Sequence, residues 1–291
     1  MTGAAVQERA FTFPCAEASL VGIVHQPLTP ARRGVLILVG GPQYRVGSHR
    51  QFLLLARSLA DQGIPAMRFD HRGIGDSDEP YLGFETLDAD IAAAIDAFIA
   101  QCPQLEEVVL WGLCDAASAI LFYAHRDPRV AGLVLLNPWV RTPESEARTY
   151  LRHYYLRRLM ARDFWRSLLA GRVRPMASAA SLLDLLARRF GRKRISDPAG
   201  SASGPLDRRP LLERMANGLA RYRGPALLIM SGQDLTAREF EDSARQSTSW
   251  CRLMAEDRVR RQDLESADHT FSRRIWRDRV SAWTVDWLRS W

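Results

Sequence analysis

The sequence predicts an α/β protein in which a mostly parallel central sheet is covered by helices on both faces. Short apolar runs bounded by Gly, Pro or Asp recur along the 291 residues, and segments with helical periodicity separate most of them. Strands that alternate with helices require crossover connections, which place helices on both faces of a parallel sheet. With 47% hydrophobic residues, a chain of this length can also bury a full core.

The predicted elements follow the order of the chain. Residues 10–13 and 19–25 predict an antiparallel hairpin that opens the chain. Five later apolar runs are predicted strands, at residues 35–39, 66–69, 108–111, 133–136 and 226–230. Four segments have helical periodicity, at residues 51–61, 87–99, 116–124 and 239–254. Residues 270–291 predict a final helix that packs on the sheet through its tryptophans, Trp276, Trp283 and Trp287.

The alternation of strands and helices stops after residue 140. Arg-rich, helix-like pieces are followed by the loop-forming ISDPAGSASGPLDRRP, and the sheet pattern returns with GPALLIMSG. We therefore predict a helical cap insertion at 141–223 between the core segments 1–140 and 224–291. The insertion holds 19 Arg and Lys against 7 Asp and Glu, or +12, whereas the rest holds 21 against 26, or −5. Such a basic segment is either a solvated face or a surface for anionic substrates or an anionic membrane.

Cysteine spacing and hydropathy argue against several classes of protein. Four cysteines form no CxxC pair, so neither a zinc site nor a disulfide framework is predicted. MTGAAVQERAFTFPC lacks an apolar core of signal-peptide length, and no apolar stretch of about 18 residues occurs. HRGIGDSD lacks the G-K-[ST] of a phosphate loop. We expect a cytoplasmic protein without cofactor, metal or nucleic-acid partner, and the sequence leaves the oligomeric state open.

The stretch VVLWGLCDAASAI places Cys114 where a predicted strand runs directly into a predicted helix. In the nucleophile elbow G-x-S-x-G, the tight turn demands small neighbours and exposes the nucleophile at the helix N-terminus. Gly112 and Ala116 occupy the two crowded positions. The alternative is a buried cysteine that packs as a small hydrophobe, and GLCDA alone leaves both interpretations open.

Two later loops supply the groups that an activated thiol needs, a base and an acid that orients it. SGQDLT carries Asp234 after a predicted strand, and SADHTF carries His269 before the last helix. This is the order nucleophile, acid, base. Asn137 cannot ionise and is a poor competitor for the acid role. The remaining histidines are expected to be structural or solvent-exposed: His25, His49, His71, His125 and His153.

The chain resembles the α/β-hydrolase family over nearly its whole length. FDHRGIGDSD is similar to the D-x-R-G-x-G-x-S turn that many members carry after the fourth strand. VGGPQYRVGSHRQF, GLCDAASA, SGQDLTAREF and ADHTFS more narrowly resemble the type-one hydrolases encoded with exosortase A systems, which accompany bacterial exopolysaccharide production. The resemblance implies an α/β-hydrolase fold with Cys114 as nucleophile, Asp234 as acid and His269 as base. Most members use serine, whereas dienelactone hydrolase is similar to this chain in using cysteine.

An oxyanion hole requires two backbone N–H donors, one from the residue after the nucleophile and one from the loop after the third strand. Asp115 supplies the first. The loop at 39–43 reads VGGPQ, which resembles the HGGPG of proline iminopeptidases, and that alignment selects Gly41. Pro42 has no N–H and cannot serve.

Together these residues imply a hydrolase of carboxylic esters or thioesters that acts on a small-molecule or carrier-bound acyl substrate through an acyl-cysteine intermediate. Two alternatives stay open. An acyltransferase would pass the acyl group to a saccharide hydroxyl if the cap excluded water. A catalytically silent partner protein would keep the fold for binding alone. Asp70 and Arg72 are expected to fix the HRGIGDSD turn.

Overall fold

The computed structural model describes residues 7–29, 31–41, 43–140 and 209–291. Their strands form one eight-stranded sheet of order β1-β2-β4-β3-β5-β6-β7-β8. The strands are β1 (Gln7–Cys15), β2 (Ala18–Gln26), β3 (Arg33–Leu38), β4 (Ala66–Asp70), β5 (Glu107–Leu113), β6 (Val130–Leu136), β7 (Ala226–Ser231) and β8 (Val259–Leu264). Strand β2 pairs antiparallel with β1 and β4, and every other neighbouring pair is parallel. The predicted α/β fold with a mostly parallel sheet is confirmed.

The α-helices of the described residues cover both faces of this sheet. They are α1 (Gln51–Asp61), α2 (Asp88–Gln101), α3 (Asp115–Tyr123), α4 (Leu211–Arg221), α5 (Leu235–Arg245), α6 (Thr248–Met254) and α7 (Arg274–Leu288). Phe52 of α1 and Trp287 of α7 belong to the core of one face. Phe98 of α2 and Phe240 of α5 belong to the core of the other. Because successive strand residues point to opposite faces, each parallel strand contributes apolar side chains to both cores.

Three elements differ from the predicted ones. The helix predicted at 239–254 is two helices, because α5 ends at Arg245 and Ser247 caps α6 by accepting a hydrogen bond from the Trp250 N–H. Strand β8, VRRQDL, was not among the predicted strands, since its charged residues at the sheet edge hide its pattern. Helix α4 was likewise not predicted as an element of its own.

The predicted insertion at 141–223 is described only in part. Residues 141–208 lie outside the described residues, so their helical cap and its charge stay predictions. Residues 209–223 belong to the same compact unit as the sheet. Within that unit α4 buries Met215 and Leu219 in the core that also contains α3.

The parallel arrangement brings the carboxyl ends of six strands to one edge of the sheet. The loops or turns that leave β3, β5, β6, β7 and β8 carry five residues, in this order: Gly41, Cys114, Asn137, Asp234 and His269. Residues far apart in sequence are therefore adjacent at this edge. Within the described ranges, none of the helices combines the length and the apolar character that crossing a bilayer requires.

Candidate active site

Cys114 lies in the sharp turn between β5 and α3. Its φ of 66° and ψ of −128° fall in a region that non-glycine residues rarely adopt, and strain of this kind is concentrated at functional sites. The Cys114 N–H donates to the Leu136 carbonyl at 2.9 Å, and the Cys114 carbonyl accepts from the N–H groups of Ala117 at 3.1 Å and Trp139 at 3.2 Å. These bonds fix the strained turn in place.

The small residues on either side of Cys114 are required by packing. A Cβ atom on Gly112 would lie 2.7 Å from Ile120 Cδ1 and 2.9 Å from the carbonyl carbon of Ala116. Ala116 is itself fully buried at the start of α3. The strand and the helix that meet at Cys114 thus approach too closely for larger side chains, as the elbow pattern predicts.

Asp234 is held by the helix that follows it. As the N-cap of α5, its carboxylate accepts the Thr236 N–H through Oδ1 and the Ala237 N–H through Oδ2, both at 3.0 Å. A helix N-terminus favours a negative charge at this position. Asp234 Oδ2 also lies 2.7 Å from His269 Nδ1 and accepts a third hydrogen bond from the Nδ1–H group. The carboxylate is buried, so it has little freedom to leave this arrangement.

His269 stands between Asp234 and Cys114. Burial lowers the pKa of its imidazole, but the hydrogen bonds and charges of Asp234 and Cys114 outweigh burial and raise that pKa to about 10. The imidazole therefore holds its second proton at neutral pH. The structure brings together Cys114, His269 and Asp234, which lie on three separate loops, and this set can combine a nucleophilic sulfur with a proton donor.

Asn137, which the sequence analysis set aside as an acid, ties three strand ends together. Its side chain is completely buried. Its Oδ1 accepts from the Ser231 N–H at 2.9 Å, and its Nδ2 donates to Ser231 Oγ at 2.9 Å and to the His269 carbonyl at 3.1 Å. Asn137 thus fixes the backbone of the loop that carries His269. Its position directly after β6 was the only available signal.

The two residues predicted to form the oxyanion hole contact each other. The Gly41 N–H donates to Asp115 Oδ1 at 2.7 Å. Burial raises the pKa of the Asp115 carboxyl group, against the hydrogen bonds from the N–H groups of Gly41 and Ala116. The sequence predicts a role for the backbone N–H of Asp115 but none for its side chain, although aspartate is a common residue in the first turn of a helix.

The turn between β4 and α2 is built as expected for FDHRGIGDSD. The Asp70 carboxylate accepts the Arg45 N–H at 2.6 Å and the Asp76 N–H at 3.1 Å, while Arg72 pairs with Asp90 at 2.7 Å. These contacts confirm that Asp70 and Arg72 fix the turn.

Two aromatic side chains, His71 and Tyr81, link that turn to the residues around Cys114. The rings of His71 and Tyr81 have centroids 5.3 Å apart. Burial, helped by the charges of Asp115 and Cys114, raises the pKa of the Tyr81 hydroxyl to about 12. Tyr81 therefore remains a neutral hydrogen-bonding group near the elbow.

Among the described residues, no group of three or more His, Cys, Asp or Glu side chains is arranged to hold a metal ion.

The sequence pattern of the family described as serine aminopeptidase, S33, matches residues 30–244, well over half of the chain. The chain belongs to this family of α/β-hydrolases. The resemblance to α/β-hydrolases is thereby confirmed. In this S33-family chain the turn between β5 and α3 carries Cys114 rather than a serine.

Solved structures with low sequence identity share the fold of this S33-family member. An esterase of Pyrococcus furiosus superposes with a TM-score of 0.65 at 12% identity, covering 98% of this chain and 92% of that one. Est1E of Butyrivibrio proteoclasticus, with ferulic acid bound, gives 0.61 at 14% identity, covering 97% and 100%. The α/β hydrolase GrgF of a Penicillium species gives 0.61 at 19% identity, covering 97% and 98%. At these identities the similarity establishes the α/β-hydrolase fold.

Proposed function

We propose that this S33-family hydrolase cleaves carboxylic esters or thioesters through an acyl-cysteine intermediate. The observation that carries the proposal is the series Cys114, His269, Asp234, in which His269 Nδ1 lies 2.7 Å from Asp234 Oδ2 and Cys114 helps to raise the pKa of His269. Cys114 is the nucleophile, His269 moves the proton, and Asp234 orients the imidazole. This assignment explains why a strained, tightly held turn is retained at Cys114.

Acylation begins with attack of the Cys114 thiolate on the carbonyl carbon of the substrate. A carbon–sulfur bond forms, and the electron pair of the C=O bond moves to oxygen. When that pair returns, the bond to the alcohol or thiol leaving group breaks, and His269 Nε2–H donates its proton to the leaving group. Asp234 accepts from His269 Nδ1–H throughout and keeps the ring in position.

Deacylation uses the now neutral His269 as the base. The imidazole Nε2 accepts a proton from a water molecule whose oxygen attacks the acyl carbon, and the carbon–sulfur bond of the intermediate then breaks. The products are the carboxylic acid and the regenerated pair of Cys114 thiolate and His269 imidazolium. The backbone N–H groups of Gly41 and Asp115 are the proposed donors to the oxyanion of both steps.

Ester or thioester substrates suit this site because their leaving groups need only the single proton that His269 holds. One of the proteins that share the fold is named as an esterase, which supports the same substrate class. The wording of the four motifs around Gly41, Cys114, Asp234 and His269 supports a narrower placement among exosortase-associated type-one hydrolases of bacterial exopolysaccharide systems. We also propose a cytoplasmic location, because the spacing of the four cysteines predicts no disulfide framework.

The positive charge of residues 141–223 supports a further part of the proposal, that the substrate or a docking surface is anionic. Opposite charges raise local ligand concentration and association rate, and salt screens this effect. We expect kcat/KM for an anionic acyl thioester to fall more steeply with salt than kcat/KM for a neutral ester. Equal salt dependence, together with no co-sedimentation with anionic vesicles, would remove this part.

The proposed activity is tested by turnover of p-nitrophenyl acetate and acetyl-CoA by the wild-type protein and two cysteine variants. Cys114→Ala should lower turnover by about 10³-fold or more, because the nucleophile is lost. The matched control is Cys251→Ala, which removes an exposed thiol of α6 and should leave turnover unchanged. Wild-type turnover in Cys114→Ala would overturn the cysteine mechanism.

A further inference from the structure

The side chain of Asp115 accepts a hydrogen bond from the backbone N–H of Gly41, which is one of the two donors proposed for the oxyanion. Asp115 Oδ1 lies 2.7 Å from the Gly41 nitrogen and accepts its hydrogen. The backbone N–H groups of Asp115 itself and of Ala116 also favour the charged form of this side chain and lower its pKa, although burial outweighs them. In an oxyanion hole these donors point at the position where negative charge develops on the substrate. Here a carboxyl oxygen of the chain already takes that place.

The loop after β3 is shaped to admit the Asp115 side chain. A Cβ atom on Gly40 would lie 2.5 Å from Asp115 Oδ1 and would also collide with the Leu113 carbonyl oxygen. Only glycine at position 40 therefore allows the carboxylate to approach the Gly41 N–H. The groups that interact electrostatically with Asp115 include His71 and Tyr81, so the carboxylate belongs to the same cluster as the elbow.

We propose that Asp115 is a specificity-determining residue whose carboxylate closes the oxyanion hole to small neutral esters. The inference rests on the proposed function, because an oxyanion hole acts only in attack on a carbonyl. A substrate oxyanion can accept the Gly41 N–H only after the carboxylate has released it. A carboxylate that stays nearby also repels the developing oxyanion. Substrates whose remote contacts displace the side chain would not meet this barrier.

Removal of the carboxylate tests the inference directly with p-nitrophenyl acetate, a small neutral ester. Loss of one oxyanion donor costs about 10²–10³ in kcat in a related type of site. We expect Asp115→Ala, which frees the Gly41 N–H, to raise kcat by roughly 10- to 100-fold, with a smaller change in KM. Asp115→Asn should give a smaller rise, since the amide oxygen still accepts that N–H but carries no charge. The control Asp96→Ala removes an exposed carboxylate of α2 and should leave kcat unchanged.

Alkylation by iodoacetamide separates this inference from the proposed function. The Cys114 thiolate displaces iodide from a saturated carbon in this reaction, and no oxyanion forms. In Asp115→Ala the rate of Cys114 alkylation should therefore change far less than kcat for the ester. Slow alkylation of Cys114, with turnover retained in Cys114→Ala, would remove the proposed function. Rapid alkylation and an inactive Cys114→Ala, with kcat no higher than wild type in folded Asp115→Ala and Asp115→Asn, would overturn the role of Asp115 alone.

Discussion

Two histidines of this protein carry opposite protonation states because their partners carry opposite charges. Burial lowers the pKa of both rings. At His269 the Asp234 carboxylate, 2.7 Å away, and Cys114 reverse the effect and raise the pKa to about 10. At His25, fully buried in β2, burial and the positive charge of Arg68 outweigh the negative charge of Glu8 and lower the pKa to about 4. Burial and the sum of the neighbouring charges together decide the outcome at each ring.

The two regions use these states differently. His269 keeps a proton that it can donate at neutral pH. His25 remains neutral, and its Nε2 accepts a hydrogen bond from Arg68 Nε at 2.9 Å. Arg68 in turn donates to the Arg45 carbonyl at 3.2 Å, so His25 helps to join β2, β4 and the loop before α1. His269 lies at the carboxyl edge of the sheet, where we propose that it takes part in the chemistry, whereas His25 contributes hydrogen bonding in the interior.

The largest effect is expected on catalytic turnover, when His269 is replaced. His269→Ala should lower kcat/KM for p-nitrophenyl acetate by about 10³-fold or more, and Cys114→Ala by a similar factor. The double variant should lose little further, because the two residues act as one unit. His25→Gln should retain wild-type kcat in the folded protein. Additive losses at Cys114 and His269 would separate the two residues and contradict a shared mechanism.

The second effect concerns stability. His25→Ala should lower the free energy of unfolding by about 2–4 kcal/mol, because it leaves a cavity and removes the acceptor of the buried Arg68 Nε–H. His25→Gln should cost less, since its amide oxygen can still accept from Arg68. Urea unfolding monitored by tryptophan fluorescence measures both variants. Equal stability in all three proteins would show that the buried pair contributes nothing.

The third effect tests whether the charge of Asp234 raises the pKa of His269. Asp234→Asn removes the negative charge but keeps an N-cap for α5, because the single amide oxygen of asparagine can still accept from the N–H group of Thr236. We expect the pKa of His269 to fall by about 1 to 3 pH units. Titration of the imidazole by NMR in both proteins measures the difference. An unchanged pKa would assign the shift to Cys114 instead.

The smallest effect is a pH dependence of stability from His25. Its pKa is about 4 when folded against 6.5 ordinarily, so between these values the unfolded chain binds a proton that the folded chain does not. The free energy of unfolding should therefore rise with pH across this window, by about 1–3 kcal/mol from this residue. His25→Gln removes this contribution, and parallel stability curves for the two proteins would refute it.

The positions of Cys114, Asp234 and His269 could be predicted because parallel strands joined by crossovers bring successive loops to one edge of the sheet. That argument needs only the order of strands and loops along the chain. A hydrogen bond between groups distant in sequence leaves no recognisable pattern in the order of strands and loops. The contact of Arg68 with His25, the bridge from Asn137 to Ser231 and His269, and the occupation of Gly41 by Asp115 all belong to this second class.

Some elements were missed because local sequence is ambiguous. The charged residues of VRRQDL hide the edge strand β8, although the strand pairs in parallel with β7 along its full length. Helix α4 follows a proline-rich, basic stretch, and its core packing is decided by contact with α3 rather than by its own composition. In both cases tertiary partners determine the element.

The central claim, that Cys114 is the nucleophile, is tested most directly by trapping the acyl-enzyme. The protein is mixed with p-nitrophenyl acetate, quenched in acid within milliseconds to seconds, and analysed by intact mass and peptide mapping. We predict a single acetyl group on Cys114, formed at least as fast as turnover and absent from Cys114→Ala. Turnover without any adduct on Cys114, or an equally rapid adduct on another residue in Cys114→Ala, would contradict the account.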